Sequence, residues 1–199
     1  METRLGPLTC GVDEAGRGPW AGPVVAAAVI LNPTCTPAGL NDSKKLTAKR
    51  REELYAALMV TARIGVGIAD VEEIDRLNIG RASLIAMERA VAALPTPPLA
   101  ALVDGRIAPK LACPAHPVIR GDGISLSVAA ASVIAKVTRD RIMTDLAADH
   151  PGYGWERNKG YGAPAHREGL ERHGVTQHHR RSFSPIHNML RPEGHSELC

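Results

Sequence analysis

Four acidic residues stand where strands are expected to end. Asp13 and Glu14 follow the apolar segment Leu8–Val12, Asp104 follows Leu99–Val103, and Asp122 sits in Gly121-Asp122-Gly123 ahead of a long helical stretch. Open α/β sheets collect ligands outside the carboxyl ends of their strands. A carboxylate half-buried there is costly unless a cation or several hydrogen bonds offset it. Several such groups converging on one sheet end repel each other, and Mg2+ or Mn2+ relieves that repulsion. Oxygen-only ligation suits these hard cations, which keep waters and bind phosphate. Two of them, ~3.5–4 Å apart, can serve both the attacking water and the leaving oxygen of a phosphodiester. Each acid also has a plainer reading, since Asp104-Gly105 and Gly121-Asp122-Gly123 both fit simple turns. Asp13-Glu14 is harder to explain that way, because two adjacent acids directly follow a core strand. Neighbours on a regular strand face opposite sides. Joint ligation therefore predicts a strand that bends at Asp13, which Gly16 would permit.

Gly16-Arg17-Gly18 lets backbone approach a ligand closely and can offer peptide groups to a sugar or phosphate. It is not a dinucleotide fingerprint. Gly22 falls one residue late for G-x-G-x-x-G, and Pro19 and Pro23 lead into strand-like sequence instead of a helix. No P-loop pattern occurs either. Asn41-Asp42-Ser43 leads into a basic cluster of Lys44, Lys45, Lys49, Arg50 and Arg51 at a helix start. Ser43, Lys44 and helix N-terminal amides are phosphate-binding groups, although such a run also reads as a solvated helix face. Lys136, Arg139 and Arg141 form a second basic stretch. Tyr153 and Tyr161 lie in Gly-rich turns, where a Tyr either stacks on a base or sugar or anchors its loop. His178-His179-Arg180-Arg181 has no i, i+4 His partner on a helix and reads as a basic or packed terminal element, not a zinc site.

The elements that must position these groups alternate between strand and helix. Leu8–Val12 alternates apolar residues, and Pro23–Leu31 is a continuous apolar run of the kind covered on both faces. Asn32–Gly39 is a loop, and Thr47 can cap a helix running to about Val60. Arg63–Ala69 is a third strand, Asn78–Leu94 a helix closed by Pro95, Leu99–Val103 a fourth strand and Val118-Ile119 a fifth. Ser125 to about Ala148 is the longest helix, with Val128, Ala131, Ala135, Ile142 and Leu146 near one stripe. A Gly-rich turn and a helix from about Pro164 to His173 follow; the segment after Phe183 carries no pattern. This interleaving predicts an α/β layered domain.

Composition narrows the class. At 199 residues the chain fits one domain, and 44% hydrophobic residues exclude a disordered protein. One Phe, three Tyr and two Trp force an aliphatic, Ala-rich core. The net charge of +3 is too weak to imply a partner by itself. Cys10, Cys35, Cys113 and Cys199 form no C-x-x-C pair, so zinc ribbons and thioredoxin-like motifs are unsupported. No apolar leader follows Met1, and no run reaches the ~18–20 apolar residues that span a bilayer. The expectation is a cytoplasmic protein with reduced thiols and no membrane association. No oligomer seam is visible, so a monomer is expected.

Taken in order, the segments resemble bacterial ribonuclease HII, the type 2 ribonuclease H. The matching stretches are Gly11 to Pro19, Ala21 to Val25, Asp42 to Leu46, Val103 to Gly105, Gly121-Asp122, Ala130 to Asp140, Lys159 to Tyr161 and His179 to Phe183. Trp20 departs from the pattern, standing where the family more often has a smaller apolar residue. The resemblance implies a ribonuclease H-like fold: a mixed five-stranded sheet flanked by helices. It implies one catalytic domain over 1–199, with 151–199 as a small C-terminal helical extension and tail. It further implies hydrolysis of the RNA strand of RNA–DNA hybrids and cutting 5′ to single ribonucleotides in duplex DNA, the entry to ribonucleotide excision repair. Asp13, Glu14, Asp104 and Asp122 match the family's four metal-binding acids; on a two-ion mechanism Asp13 is expected to bridge the ions, with the other three completing the shells. Gly16, Arg17 and Gly18 match its ribose-recognition loop, and Tyr161 the Tyr set against the junction sugar.

Two rival readings remain open at this stage. A same-fold nuclease would act on pure DNA or RNA. A non-catalytic nucleic-acid binder would explain the basic clusters but not carboxylates at strand ends, which repel phosphate unless a cation intervenes.

Overall fold

The apolar run after Pro23 becomes a strand with no exposed residue, β2 (Val24–Ile30), and the molecule is layered around it. The computed structural model describes residues 1–191; His195 and Cys199 lie outside the described residues. The remaining strands are β1 (Thr9–Ala15), β3 (Arg63–Ala69), β4 (Ala100–Asp104) and β5 (Ala115–Val118). The sheet order is β3-β2-β1-β4-β5. β1 runs antiparallel to β2, β2 antiparallel to β3, and β4 parallel to both β1 and β5. The expected mixed five-stranded sheet flanked by helices is present.

Seven helices accompany the sheet among the described residues: α1 (Glu2–Leu5), α2 (Ala48–Thr61), α3 (Val71–Ala92), α4 (Leu126–Asp149), α5 (Trp155–Asn158), α6 (Pro164–His173) and α7 (Ser184–Leu190). α3 covers one face, where Cys10, Val12, Ala26 and Ala28 meet Ala82, Ala86 and Ala90. α2 and α4 cover the other, where Ala27 and Val29 meet Leu54, Leu58, Ala130 and Ile134. Small residues set the spacing. A Cβ on Gly11 would overlap the backbone at Ser127–Val128, and one on Gly67 the Ala86 carbonyl. The first turn of α4 therefore lies directly on β1 beside the acids. Leu58, fully buried, anchors α2 on that same face of the sheet, and truncation to Ala would cost roughly 2–5 kcal/mol.

Several elements differ from the sequence-based expectations, each for a local reason. β1 does not end at Val12, and it does not bend at Asp13. Its ladder with β2 keeps register through Asp13↔Ala27, Glu14↔Ala26 and Ala15↔Val25. Asp13 thus falls on the α4 face with Gly11 and Ala15, and Glu14 on the α3 face with Cys10 and Val12. β5 covers Ala115–Val118 instead of Val118-Ile119. α3 starts seven residues before Asn78, from an Asp70–Glu73 capping box, and is interrupted at Asn78 (φ 65°, ψ 160°). Asn78 Oδ1 accepts from Arg81 N at 3.1 Å, restarting the helix at the expected place. Thr47 caps α2 as expected, and Ser125, expected as the first residue of the long helix, is instead the cap of α4.

The C-terminal segment packs on the second half of α4 and on Trp20-Ala21. Met143 of α4, Tyr153, Trp155, Leu170 and Ile186 share a third apolar cluster. Tyr153 is the loop anchor of the two alternatives, buried and donating to the Gly174 carbonyl at 2.9 Å. Trp20 packs against this cluster. Gly162 leaves room for its indole, and the Arg167 guanidinium lies 5.5 Å from the ring centroid.

Candidate active site

The carboxyl ends of β1 and β4 lie side by side because the two strands are parallel, with Val12 opposite Val103. That alone brings Asp13 and Glu14 next to Asp104, the last residue of β4. Asp104 Oδ1 accepts from Gly121 N at 2.7 Å. This bond holds the 3-10 turn Gly121–Gly123, and with it Asp122, against the same rim. Asp13 Oδ1 accepts from Glu14 N at 2.7 Å. Glu14 Oε1 accepts from Arg17 Nη1 at 3.3 Å, so its side chain turns from the α3 face toward the glycine loop.

A cavity of about 330 Å³ opens on this rim. Asp13, Glu14, Gly16, Arg17, Gly18, Ser43, Lys44, Asp122 and Tyr161 line it, joined by Lys136 and Arg139. Asp104 is not part of the lining and sits behind it, hydrogen-bonded to the Asp122 turn. Ser43 is fixed between helices, its N–H donating to Ser132 Oγ at 3.2 Å and its carbonyl accepting from Arg51 at 2.9 Å. Lys44 is exposed, its N–H bonded to Asp42 Oδ1 at 2.9 Å. Arg50 and Arg51 spend their guanidiniums on the carbonyls of Ala38, Ser43 and Leu46. Among the described residues, Lys44, Lys45 and Lys49 are the cations of that cluster whose side chains make no hydrogen bond.

Burial and mutual repulsion show in the acids' proton affinities. Burial first, then Glu14 and Asp104 and lastly Asp122, hold the Asp13 carboxyl well above the usual carboxylate range. Burial also raises Glu14, opposed by Arg17. Asp122 is raised by burial and by the neighbouring Asp42 and Asp104, with Lys44 opposing. The carboxyls gather without closing on one point: among the described residues, no group of three His, Cys, Asp or Glu side chains could hold an ion as it stands. The donor set nonetheless fits a hard divalent cation. Glu14 Oε2 is buried with no hydrogen-bond partner, an unmet acceptor in a site where a positive charge would relieve four like-charged neighbours.

Sequence reasoning missed the residues that fix the loops. Arg139, grouped above with Lys136 and Arg141 as a basic stretch, is only 1% exposed and lies inside the wall of the cavity. His179 and Arg180 are fully buried, so the terminal basic segment is the packed alternative. His166 Nδ1 donates to the Tyr161 carbonyl at 2.9 Å, and its Nε2 accepts from Trp155 Nε1 at 3.1 Å and meets His179 Nε2 at 3.0 Å. Thr176 N donates to His179 Nδ1 at 2.9 Å, leaving His179 Nε2 as the donor to His166. Burial and the adjacent His166 drop His179 to about 3, so the pair stays neutral. The only sequence signal for this anchoring was the exclusion of a zinc role. Tyr161, held by its carbonyl, keeps an exposed ring at the cavity mouth.

The family model described as Ribonuclease HII matches residues 10–186. A ribonuclease HII of Ruegeria pomeroyi is 61% identical over 184 residues, covering 92% of this chain and 79% of its own. One from Jannaschia sp. is 56% identical over 191 residues, covering 96% of each. Among solved structures, ribonuclease H2 from Pyrococcus horikoshii OT3 superposes with a TM-score of 0.78 at 27% identity, over 91% of this chain and 96% of that one. The chain belongs to the ribonuclease HII family, and is thereby a metal-dependent endoribonuclease of the ribonuclease H class acting on RNA–DNA hybrids.

Proposed function

We propose that this protein also cuts on the 5′ side of a single ribonucleotide embedded in duplex DNA, working as a cytoplasmic monomer. The observation that carries this reading is one cavity lined by acids on one side and by Gly16-Arg17-Gly18 and Tyr161 on the other. Phosphate and sugar can thus be addressed together. Asp13, Glu14, Asp104 and Asp122 would hold two divalent ions, Mg2+ or Mn2+, which when bound supply an activated water and charge stabilisation at phosphorus.

The chain's own groups do the rest. Lys44 offers a cation to the incoming phosphate, and Ser43 places it by rigid attachment to α4. Arg17 restrains Glu14. The loop peptides address the 2′-hydroxyl, the group that distinguishes RNA from DNA. The Tyr161 ring packs on the neighbouring deoxyribose, where a second 2′-hydroxyl would crowd it. Attack by water instead of the 2′-hydroxyl leaves 3′-hydroxyl and 5′-phosphate ends.

The test incubates a duplex carrying one ribonucleotide, and its all-DNA twin, with protein and Mg2+ or Mn2+. Cleavage of the first alone, on the 5′ side of the ribonucleotide, is expected. Cutting of the twin would favour a same-fold nuclease of broader range, and an intact first duplex would end the proposal.

A further inference from the structure

Arg139 and Arg180 are among the largest fully buried side chains in the protein, and among the described residues neither pairs with a carboxylate. Burying a guanidinium without a counter-charge costs several kcal/mol. Burial accordingly lowers Arg180 to about 9 and Arg139 to about 10. All seven of their hydrogen bonds run to backbone carbonyls. Arg139 donates from Nε to Pro23 O (2.9 Å), from Nη1 to Lys159 O (3.0 Å) and from Nη2 to Ala21 O (3.1 Å). Arg180 donates from Nε to Gly22 O (2.9 Å), from Nη1 to Arg17 O (3.0 Å), and from Nη2 to Gly16 O (2.5 Å) and Pro23 O (3.2 Å). Two cations are thus devoted to the 16–23 segment and to the turn that carries Tyr161.

Peptide planarity turns this grip into direction. In a trans peptide the carbonyl of one residue and the N–H of the next point opposite ways. With Gly16 O and Arg17 O drawn onto Arg180, the Arg17 and Gly18 N–H groups must point away from it, toward the cavity those residues line. Neither N–H donates to any acceptor among the described residues. Two donors held rigid and left free are the arrangement a sugar hydroxyl or phosphate oxygen needs. Only a planar fork holds several carbonyls in fixed directions, and a lysine ammonium does not.

We propose that Arg180, braced by Arg139, is the positioning residue that aims the Arg17 and Gly18 N–H groups into the cavity and thereby sets the preference for ribose over deoxyribose. The specificity part rests on the reading given under Proposed function. The aiming part does not.

The experiment compares the full-length protein with Arg180→Lys and Arg139→Lys by backbone 15N relaxation. Wild-type Arg17 and Gly18 N–H order parameters should be near the rigid value of ~0.85 despite having no acceptor, and should fall below ~0.6 in Arg180→Lys while β1 and β2 stay rigid. Mobile amides in the wild type overturn the proposal even if neither variant folds, as do amides that stay rigid in Arg180→Lys. In an Asp13→Asn background, the affinity ratio of the one-ribonucleotide duplex to its all-DNA twin should drop about tenfold on adding Arg180→Lys, the worth of one oriented hydrogen bond. All-DNA affinity should hold. An unchanged ratio overturns the specificity role. No ribonucleotide preference in Asp13→Asn itself would refute the substrate reading instead, with the order parameters still deciding the clamp.

Discussion

Gly16→Ala and Gly18→Ala differ by one methyl group at two positions of the same loop, and the structure assigns them opposite outcomes. Gly16 has φ +99°, where an L residue is strained by about 1–3 kcal/mol. A Cβ there would also overlap the Nε and Cδ atoms of Arg139. Arg139 cannot step aside freely, because its three carbonyl bonds fix the guanidinium. Losing one charge-assisted bond costs about 1.5–3 kcal/mol. Together the two effects reach about 3–6 kcal/mol, part of which the loop escapes by shifting. With ~2–4 °C per kcal/mol for a chain of this length, melting should fall by roughly 5–15 °C. Because the displaced loop faces the cavity, kcat/KM should fall at least about a hundredfold, equivalent to ~2.7 kcal/mol of transition-state stabilisation. Gly18 has no positive φ, and a Cβ there would meet only the Tyr161 ring at 3.4 Å, an ordinary contact. Its variant should melt within about 0.5 kcal/mol of wild type. Calorimetric melting and steady-state cleavage of an RNA–DNA hybrid measure both. Equal melting of the two variants, or a fully active Gly16→Ala, refutes the reasoning.

Other perturbations follow from the same geometry. Asp13→Asn should lose most cleavage yet melt higher than metal-free wild type at pH 8. A carboxyl raised in the folded state contributes stability that is complete below its ordinary value near ~3.9 and lost as pH rises through the elevated one, and Asn has nothing to lose; melting curves from pH 4 to 8 should diverge accordingly, and parallel curves would contradict the electrostatics. Tyr161→Ala should weaken cutting at isolated ribonucleotides more than on long hybrids, with equal losses counting against a role at the junction sugar. Thr47→Ala removes the 3.2 Å cap on Arg50 N and should cost about 1 kcal/mol in urea titrations, leaving the cleavage pattern unchanged.

How much of this was legible beforehand depends on the range of the interactions involved. The apolar run of β2, the Thr47 cap and the long stripe of α4 are local patterns, and the sequence displays them. Asp70 and Glu73 form an equally local capping box, and reading it would have found the first turns of α3. α1, α5 and α7, with four, four and seven residues, are too short for periodicity to reveal. The bend predicted at Asp13 assumed that both acids must leave the strand on one face. Glu14 instead stays in the ladder, and its longer side chain turns to Arg17. In sequence Arg139 reads only as part of a basic stretch and Arg180 as part of a basic or packed element, because nothing local says that six distant carbonyls await them. Only the packing of α4 and the C-terminal segment against the 16–23 loop makes them interior.

The most direct test of the account is an anomalous difference map from crystals of the inactive Asp104→Asn protein grown with an RNA–DNA hybrid and Mn2+. The account predicts manganese peaks bonded to Asp13 beside a substrate phosphate in the cavity that Gly16 and Tyr161 border. Manganese bound elsewhere with the hybrid seated in that cavity, or a hybrid seated on another face, would contradict it.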